Sequence, residues 1–468
     1  MAVSVYPTGT TVYNPAKCWN GYTIFQASLF EGARVGATLI DMNGNVVNQW
    51  KALDGFPNKM LPGGHVMGST GKRNPKYGFQ DQLDLVQVDW DGSVVWRFDR
   101  YERVKDPRQR PTWMARQHHD FQRQGNPVGY YVPGAEPLVN GGNTLVLCHK
   151  NIQNPNISAK MLLDDTIIDV TWDGKIVWEW ICSEHFDELG FSEEAKNTIA
   201  RNPYVRNVAG SAGDWMHINS VSRLGPNRWF DAGDQRFHPD NIIWSSRNAN
   251  IMAIIDGKTG AIVWRLGPDY SGTDALKKLG WIIGQHHIHM IPAGLPGAGN
   301  LLVFDNGGSA GYGSPNPGSP TGVGNALRDF SRVLEFNPVT LDVAWTTAPS
   351  PPGRRPGGPH GQRFYSSFIS SAQRLPNGNT LVTEGAAGRV FELTPQCEIV
   401  WEHVSPFFDR RMGLNSVYRA YRLPYEWAPQ AGRPAENAVP RPDNSRFRAP
   451  GSTVQKRSKI TRVKTSFS

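Results

Sequence analysis

The stretch TIIDVTWDGKIVW, residues 166–178, is an apolar run, a tight Asp-Gly turn and a second apolar run that closes on tryptophan. The same unit recurs as LIDMNGNVVNQW (39–50), LVQVDWDGSVVW (85–96), IMAIIDGKTGAIVW (251–264), RVLEFNPVTLDVAW (332–345) and RVFELTPQCEIVW (389–401). The closing tryptophans are 46, 82, 86, 81 and 56 residues apart, so one unit is repeated with long insertions between the middle copies. A two-strand ribbon with one apolar face has nothing to bury it against, so copies must stack. Upstream of most copies a Gly/Asn turn opens another strand: GGNTLVL at Gly141, GPNRWF at Gly225, GAGNLLVF at Gly297 and PNGNTLV at Pro376. Four strands in each of six units predict an all-β chain, a six-bladed β-propeller with long inter-blade insertions and an extended basic C-terminal tail.

Composition agrees with one ring spanning 1–430 as the catalytic domain. The 49 glycines, 35 prolines and 11 % aromatic content suit many short strands and tight turns. Helical periodicity is scarce and is clearest at FSEEAKNTIARN from Phe191. The acidic DELGFSEE run from Asp187 reads as a solvated loop or a lid over the channel mouth.

The net charge of +8 is concentrated from Arg433 onward, where nine Lys/Arg face Glu436 and Asp443. The propeller is therefore nearly neutral, and 431–468 reads as a Pro-rich tail, flexible or wrapping a neighbouring subunit in a homo-oligomer. No aromatic platform is interleaved with that charge, so nucleic acid is not an expected partner. GSTGKR at Gly68 is not a phosphate loop, since Val66 and Arg73 stand where Gly and Ser/Thr are required. The start MAVSVYPTGT lacks a basic apolar leader, and no run approaches the length of a membrane span. Cys18, Cys148, Cys182 and Cys397 form no CxxC pair, which predicts neither a thiolate zinc site nor a disulfide framework. A cytoplasmic protein with no membrane partner is the resulting expectation.

Chemistry is expected at the channel mouth, where inner strands converge. Seven of twelve histidines fall in four clusters: His118 and His119, His217, His286 with His287 and His289, and His360. Strand alternation, with Leu224, Ile291 and Leu375 in register and Phe121 opposite Val221, puts His119, His217, Asn219, His286 and Ser370 on the axial face. It turns His118, His287 and His289 between blades. Arg247, ending the SSR run, would offer a permanent charge and paired donors to a tetrahedral oxyanion. The same residues leave a second reading open, in which His119, His217 and His286 hold one divalent transition metal for oxygenase, hydratase or lyase chemistry on a small aromatic. A cation such as Arg247 is unfavourable beside a metal. A third reading is an interaction propeller whose histidines only fill the channel.

NGYTIF at Asn20, HHDF at His118, DWMHINS at Asp214, NIIWSSR at Asn241, the QH of GQHH at His286, LVFDNG at Leu302 and LPNGNTLVTEG at Leu375 together resemble the bacterial arylsulfate sulfotransferase family. The likeness runs over roughly residues 10 to 425 and is specific in combination. It implies a six-bladed propeller that moves a sulfuryl group from an aryl sulfate to a phenol without a nucleotide donor or other cofactor. It further implies a ping-pong reaction through a sulfohistidine at His286. By the same likeness His217, His119 and Arg247 hold and polarise the sulfate, and Asn219 and Ser370 line the substrate site. Trp215 is an aromatic neighbour suited to a phenyl ring.

Overall fold

The computed structural model describes residues 7–27, 35–71, 80–105, 110–203, 213–347, 364–409 and 413–441. His360 and the tail from 442 lie outside them. The strands form five four-stranded antiparallel sheets and one five-stranded sheet, each a blade. Blade 1 runs, from the axis outward, Ala420–Leu423, Tyr22–Gln26, Ala37–Ile40 and Val46–Trp50. Its inner strand comes from the far end of the chain, so the ring is closed by backbone pairing between Tyr22 and Leu423 and onward. Blade 2 is Lys59–Leu61, His65–Gly68, Leu85–Val88 and Val94–Phe98. Blade 3 is Gln117–Arg123, Thr144–Ile152, Leu162–Val170 and Ile176–Ile181. Blade 4 is Ile218–Arg223, Ile242–Ser246, Ile251–Ile255 and Ile262–Leu266. Blade 5 is His286–Met290, Leu301–Asp305, Arg332–Phe336 and Val343–Thr346. Blade 6 is Ser371–Arg374, Thr380–Glu384, Arg389–Leu393 and Ile399–Val404, with Gly9–Tyr13 added on its outer edge.

The recurring tryptophan has a physical task that the repeat alone did not reveal. Its indole N–H donates to a turn carbonyl of the next blade: Trp50 to Asp89, Trp96 to Trp172, Trp180 to Gly260, Trp264 to Pro338, Trp345 to Pro395 and Trp401 to Met42, at 2.7–3.0 Å. The ring is therefore stitched at its rim in one direction. In blade 3 the stitch is Trp180, not the Trp178 that the repeat singles out; Trp178 is only half-buried. Trp180→Phe is expected to lower stability by about 1–2 kcal/mol, from one hydrogen bond and lost ring contact, against less than about 0.5 kcal/mol for Trp178→Phe. Urea unfolding of both variants checks this, and equal losses would contradict it.

GPNRWF does not open a strand. Asn227 accepts from the Trp229 and Phe230 amides and starts a short helix, Arg228–Asp231, so the second strand of blade 4 begins only at Ile242. The FSEEAKNTIARN segment forms the expected helix, Glu193–Arg201, capped by Ser192. Its Ala195 and Ile199 pack into the cluster that holds Trp215, and Thr198 donates to the Gly313 carbonyl at 3.0 Å, which fixes the helix on the barrel wall. The first residues of the tail follow their own chain: Val439 exchanges backbone hydrogen bonds with Tyr13 at 2.8 and 2.9 Å. All four cysteines are free thiols. Among the described residues no helix is long and apolar enough to cross a membrane.

Candidate active site

The inner strands of blades 3, 4 and 5 do not begin as regular strands. Register slips occur between Gln117 and Phe121, between Ile218 and Ser220, and between His286 and His289. His119, His217, His287, Ile369 and Ser370 have positive φ. Bulges of this kind re-aim side chains near functional sites, and they replace the strict alternation assumed from sequence.

The bulges gather His119, His217, His286 and Arg247 into one buried patch. The rings of His119 and His217 meet edge to face with centroids 4.5 Å apart. The Arg247 amide donates to the His217 carbonyl at 3.1 Å, and its side-chain stem passes 4.0 Å from where a Cβ on Gly284 would lie. Gly284 in turn contacts His286 through its carbonyl. His217 is the most open of the three imidazoles, at 12 % exposure, so the patch faces outward on the His217 side.

The tautomer of His286 follows from its partners. Its Nδ1 lies 2.7 Å from Asn306 Oδ1 and 3.0 Å from the Gly284 carbonyl. Asn306 is oriented by its own amide nitrogen, which donates to the carbonyls of Ser366 and Ile369 at 2.7 and 2.8 Å. Both groups at Nδ1 are acceptors, so Nδ1 carries the proton and Nε2 keeps a lone pair. Burial pushes the His286 pKa well below the usual histidine range, and the Arg247 charge pushes it the same way. The ring is a neutral base with its nucleophilic nitrogen free.

His217 is held by Asp214, whose Oδ2 lies 2.6 Å from Nδ1. Burial would raise the Asp214 carboxyl, yet His217 holds it below the ordinary value, so Asp214 is a carboxylate. It orients the ring and sets a negative charge beside it. His119 is pushed well below the normal range by burial and by the neighbouring His217 and His118. Its Nδ1 lies 2.8 Å from His118 Nδ1, and Phe56 and Tyr418 pack against its ring.

The other expected residues support this patch without offering it groups. Asn219 spends both ends of its amide on the protein, donating to the Gln285 carbonyl at 2.7 Å and accepting from Ser245 at 2.9 Å. Ser370 donates to Ser366 and accepts from the Gly385 amide, at 2.8 and 3.0 Å. Trp215 is fully buried, donates to Asp164 at 2.9 Å and packs on Phe186 and Phe191, so its ring is core rather than a platform for a phenyl group. Alternation turns His287 and His289 between blades, but they are buried with Tyr130 and with Tyr421 of blade 1, two blades away, so the bulge carries them toward the channel instead. Sequence reasoning passed over Asp214 and Asn306 as functional residues, although each stands inside a quoted motif, DWMHINS and LVFDNG. It also passed over Arg419, which crosses the axis to Asp120.

Among the described residues, one group of three potential metal ligands has its donor atoms all within 4.8 Å, and it is His118, His149 and Asp165. That is not the set His119, His217 and His286 considered from sequence. The latter stands beside the Arg247 charge.

Solved structures with similar chains include a Bacteroides caccae protein of unknown function, at 10 % identity over 86 % of this chain and 99 % of that one, TM-score 0.42. Virginiamycin B lyase from Staphylococcus aureus matches at 11 % identity over 86 % of each chain, TM-score 0.33. The Dos1 propeller matches at 11 % identity over 85 % of this chain and 74 % of that one, TM-score 0.33. No curated protein matches the chain. The arylsulfotransferase family model matches residues 137–419, a span that holds His217, Arg247, His286 and Asn306. By that match, over more than half of its 468 residues, the chain belongs to the arylsulfotransferase (ASST) family.

Proposed function

We propose that the protein transfers a sulfuryl group from an aryl sulfate ester to a phenolic acceptor by double displacement through His286. The observation that carries this reading is the fixed tautomer of His286, a buried neutral imidazole that keeps its lone pair on Nε2 and feels the Arg247 charge. Family membership supports the substrate class.

In the first half-reaction Nε2 attacks sulfur and the bond from sulfur to the aryl oxygen breaks. The electron pair leaves on the phenolate, and the positive charge on the sulfated ring is shared through Nδ1–H with Asn306 Oδ1. Arg247 and His119 face the charge on the sulfuryl oxygens, where fixed donors act without reorganisation. His217, backed by Asp214, gives its Nε2 proton to the phenolate. In the second half-reaction His217 takes the proton of the acceptor phenol, the acceptor oxygen attacks sulfur, and the bond from Nε2 to sulfur breaks. No nucleotide or other cofactor enters this scheme. A cytoplasmic setting and a homo-oligomer formed through the C-terminal tail belong to the same proposal.

p-Nitrophenyl sulfate with a phenol acceptor tests it: nitrophenol release that depends on the acceptor is expected, and its absence with a panel of aryl sulfates would overturn the reading. The acid limb of kcat/KM is expected below about pH 6.5, the ordinary histidine value, because the folded His286 stays unprotonated there. Arg247→Met removes a charge that lowers the His286 pKa, so the residual activity should show that limb moved to higher pH. A limb that stays in place in the variant would disconnect Arg247 from His286.

A further inference from the structure

Beside His119 and within electrostatic reach of His217, three ligand-type atoms converge with no hydrogen-bond partner. His118 Nε2 lies 3.2 Å from Asp165 Oδ1, and His149 Nε2 lies 3.7 Å from the same oxygen. All three side chains are fully buried, and none of these three atoms has a hydrogen-bond partner in the protein. Leaving buried polar atoms unmatched costs about 1–3 kcal/mol each, more for a charged group, so such a cluster is rarely left unfilled.

The rest of each side chain is anchored as metal ligands are. His149 gives its Nδ1 to Asp81 Oδ1 at 2.6 Å, and Asp81 is held from its other oxygen by Arg116 Nε at 2.6 Å. This is the carboxylate–histidine arrangement that orients an imidazole toward an ion through Nε2. Asp165 uses Oδ2 to accept the Ile218 amide at 3.1 Å, leaving Oδ1 for the cluster. His118 has its Nδ1 on His119 Nδ1 at 2.8 Å. A tetrahedral ion with bonds of about 2.0–2.1 Å spaces its ligand atoms about 3.3 Å apart, close to the separations from Asp165. The His118 and His149 rings are stacked at 3.5 Å and 11°, and they have to tilt apart modestly to aim both lone pairs at one point.

We propose that His118, His149 and Asp165 bind a zinc-class divalent ion, a site distinct from the sulfuryl-transfer patch, and that the ion sets the tautomer of His119. An ion on His118 Nε2 leaves the His118 proton on Nδ1, which then donates to His119 Nδ1. His119 must in turn carry its proton on Nε2, as a donor to the sulfuryl oxygens. This last step rests on the functional reading above; the ion site does not.

The test is metal analysis of the full chain, produced without a histidine tag in zinc-supplemented medium and passed through gel filtration. About one zinc per chain is expected. Asp165→Asn keeps the shape and an acceptor for Ile218 but removes the charge, and should lower bound zinc at least about fivefold, as should His149→Ala. If either variant fails to fold, the wild type answers alone: stripping with dipicolinate should release the ion and lower the melting temperature, and zinc but not magnesium should restore both. Metal-free protein that takes up no zinc or cobalt would overturn the proposal, as would full zinc content in a folded Asp165→Asn variant. Zinc content and sulfuryl transfer are read separately on the same samples, so zinc-bound protein without transfer would overturn the function and leave the ion site standing.

Discussion

His286→Ala is expected to abolish acceptor-dependent release of nitrophenol, lowering kcat by at least about a thousandfold while the fold persists. The size follows from the role: an attacking nitrogen has no substitute, and loss of a nucleophile commonly removes nearly all covalent catalysis. The side chain is buried, but its replacement leaves Asn306 still engaged with Ser366 and Ile369, so the surrounding loop keeps its anchors. Wild-type protein mixed with donor alone should show a burst of nitrophenol and carry one added sulfuryl group on the peptide that contains His286. The variant should show neither. A His286→Ala protein that retains wild-type turnover, or a sulfuryl group found on His119 or His217 instead, would remove His286 from the centre of the mechanism.

The architecture was legible because the tryptophan-closed hairpin answers a burial requirement that every blade shares. What sequence could not give was which blade the last strand completes, since Ala420–Leu423 pairs with Tyr22–Gln26 across nearly the whole chain. At the candidate site, histidine clustering located the patch, yet alternation misjudged what some neighbours do. Asn219 and Ser370 lie at strand starts that are bulged or have positive φ, and their polar atoms are consumed by adjoining backbone and side chains. Trp215 looked like a substrate platform because it is two residues from His217, but its indole is claimed by Asp164. Asp214, three residues before His217, and Asn306, twenty residues after His286, act through ring nitrogens, a relation that only three-dimensional geometry exposes. His149 and Asp165 carry no motif at all; they pair across adjacent strands of blade 3.

Asp120→Ala is expected to cost about 3–5 kcal/mol of stability, the largest effect of any single change near the axis, and to do so without touching the reacting atoms. Asp120 stands at the centre of a buried charge network that joins four blades. Its Oδ1 accepts from Lys59 at 2.6 Å and its Oδ2 from Arg419 at 2.9 Å and the Val221 amide at 3.1 Å. Lys59 comes from blade 2, Asp120 from blade 3, Val221 from blade 4, and Arg419 from the residue just before the closing strand of blade 1. Burial alone would raise the Asp120 carboxyl, but Arg419 and Lys59 hold it below its ordinary value; burial lowers the Lys59 ammonium in turn, so Arg419 is the firmer cationic partner of the carboxylate. Removing the carboxylate strands two cations away from water, and a buried charge without its partner costs far more than a surface pair. Arg419 also donates to the Asn219 carbonyl, and Tyr418 to the His119 carbonyl at 3.2 Å, so the closing segment is fastened directly beneath the bulges that carry the histidines. Urea unfolding should show the loss as a lowered midpoint, with Asp120→Asn intermediate because it keeps an acceptor. A loss below about 1 kcal/mol in Asp120→Ala would mean that the two cations find water or other acceptors, and that the axis is held by packing alone.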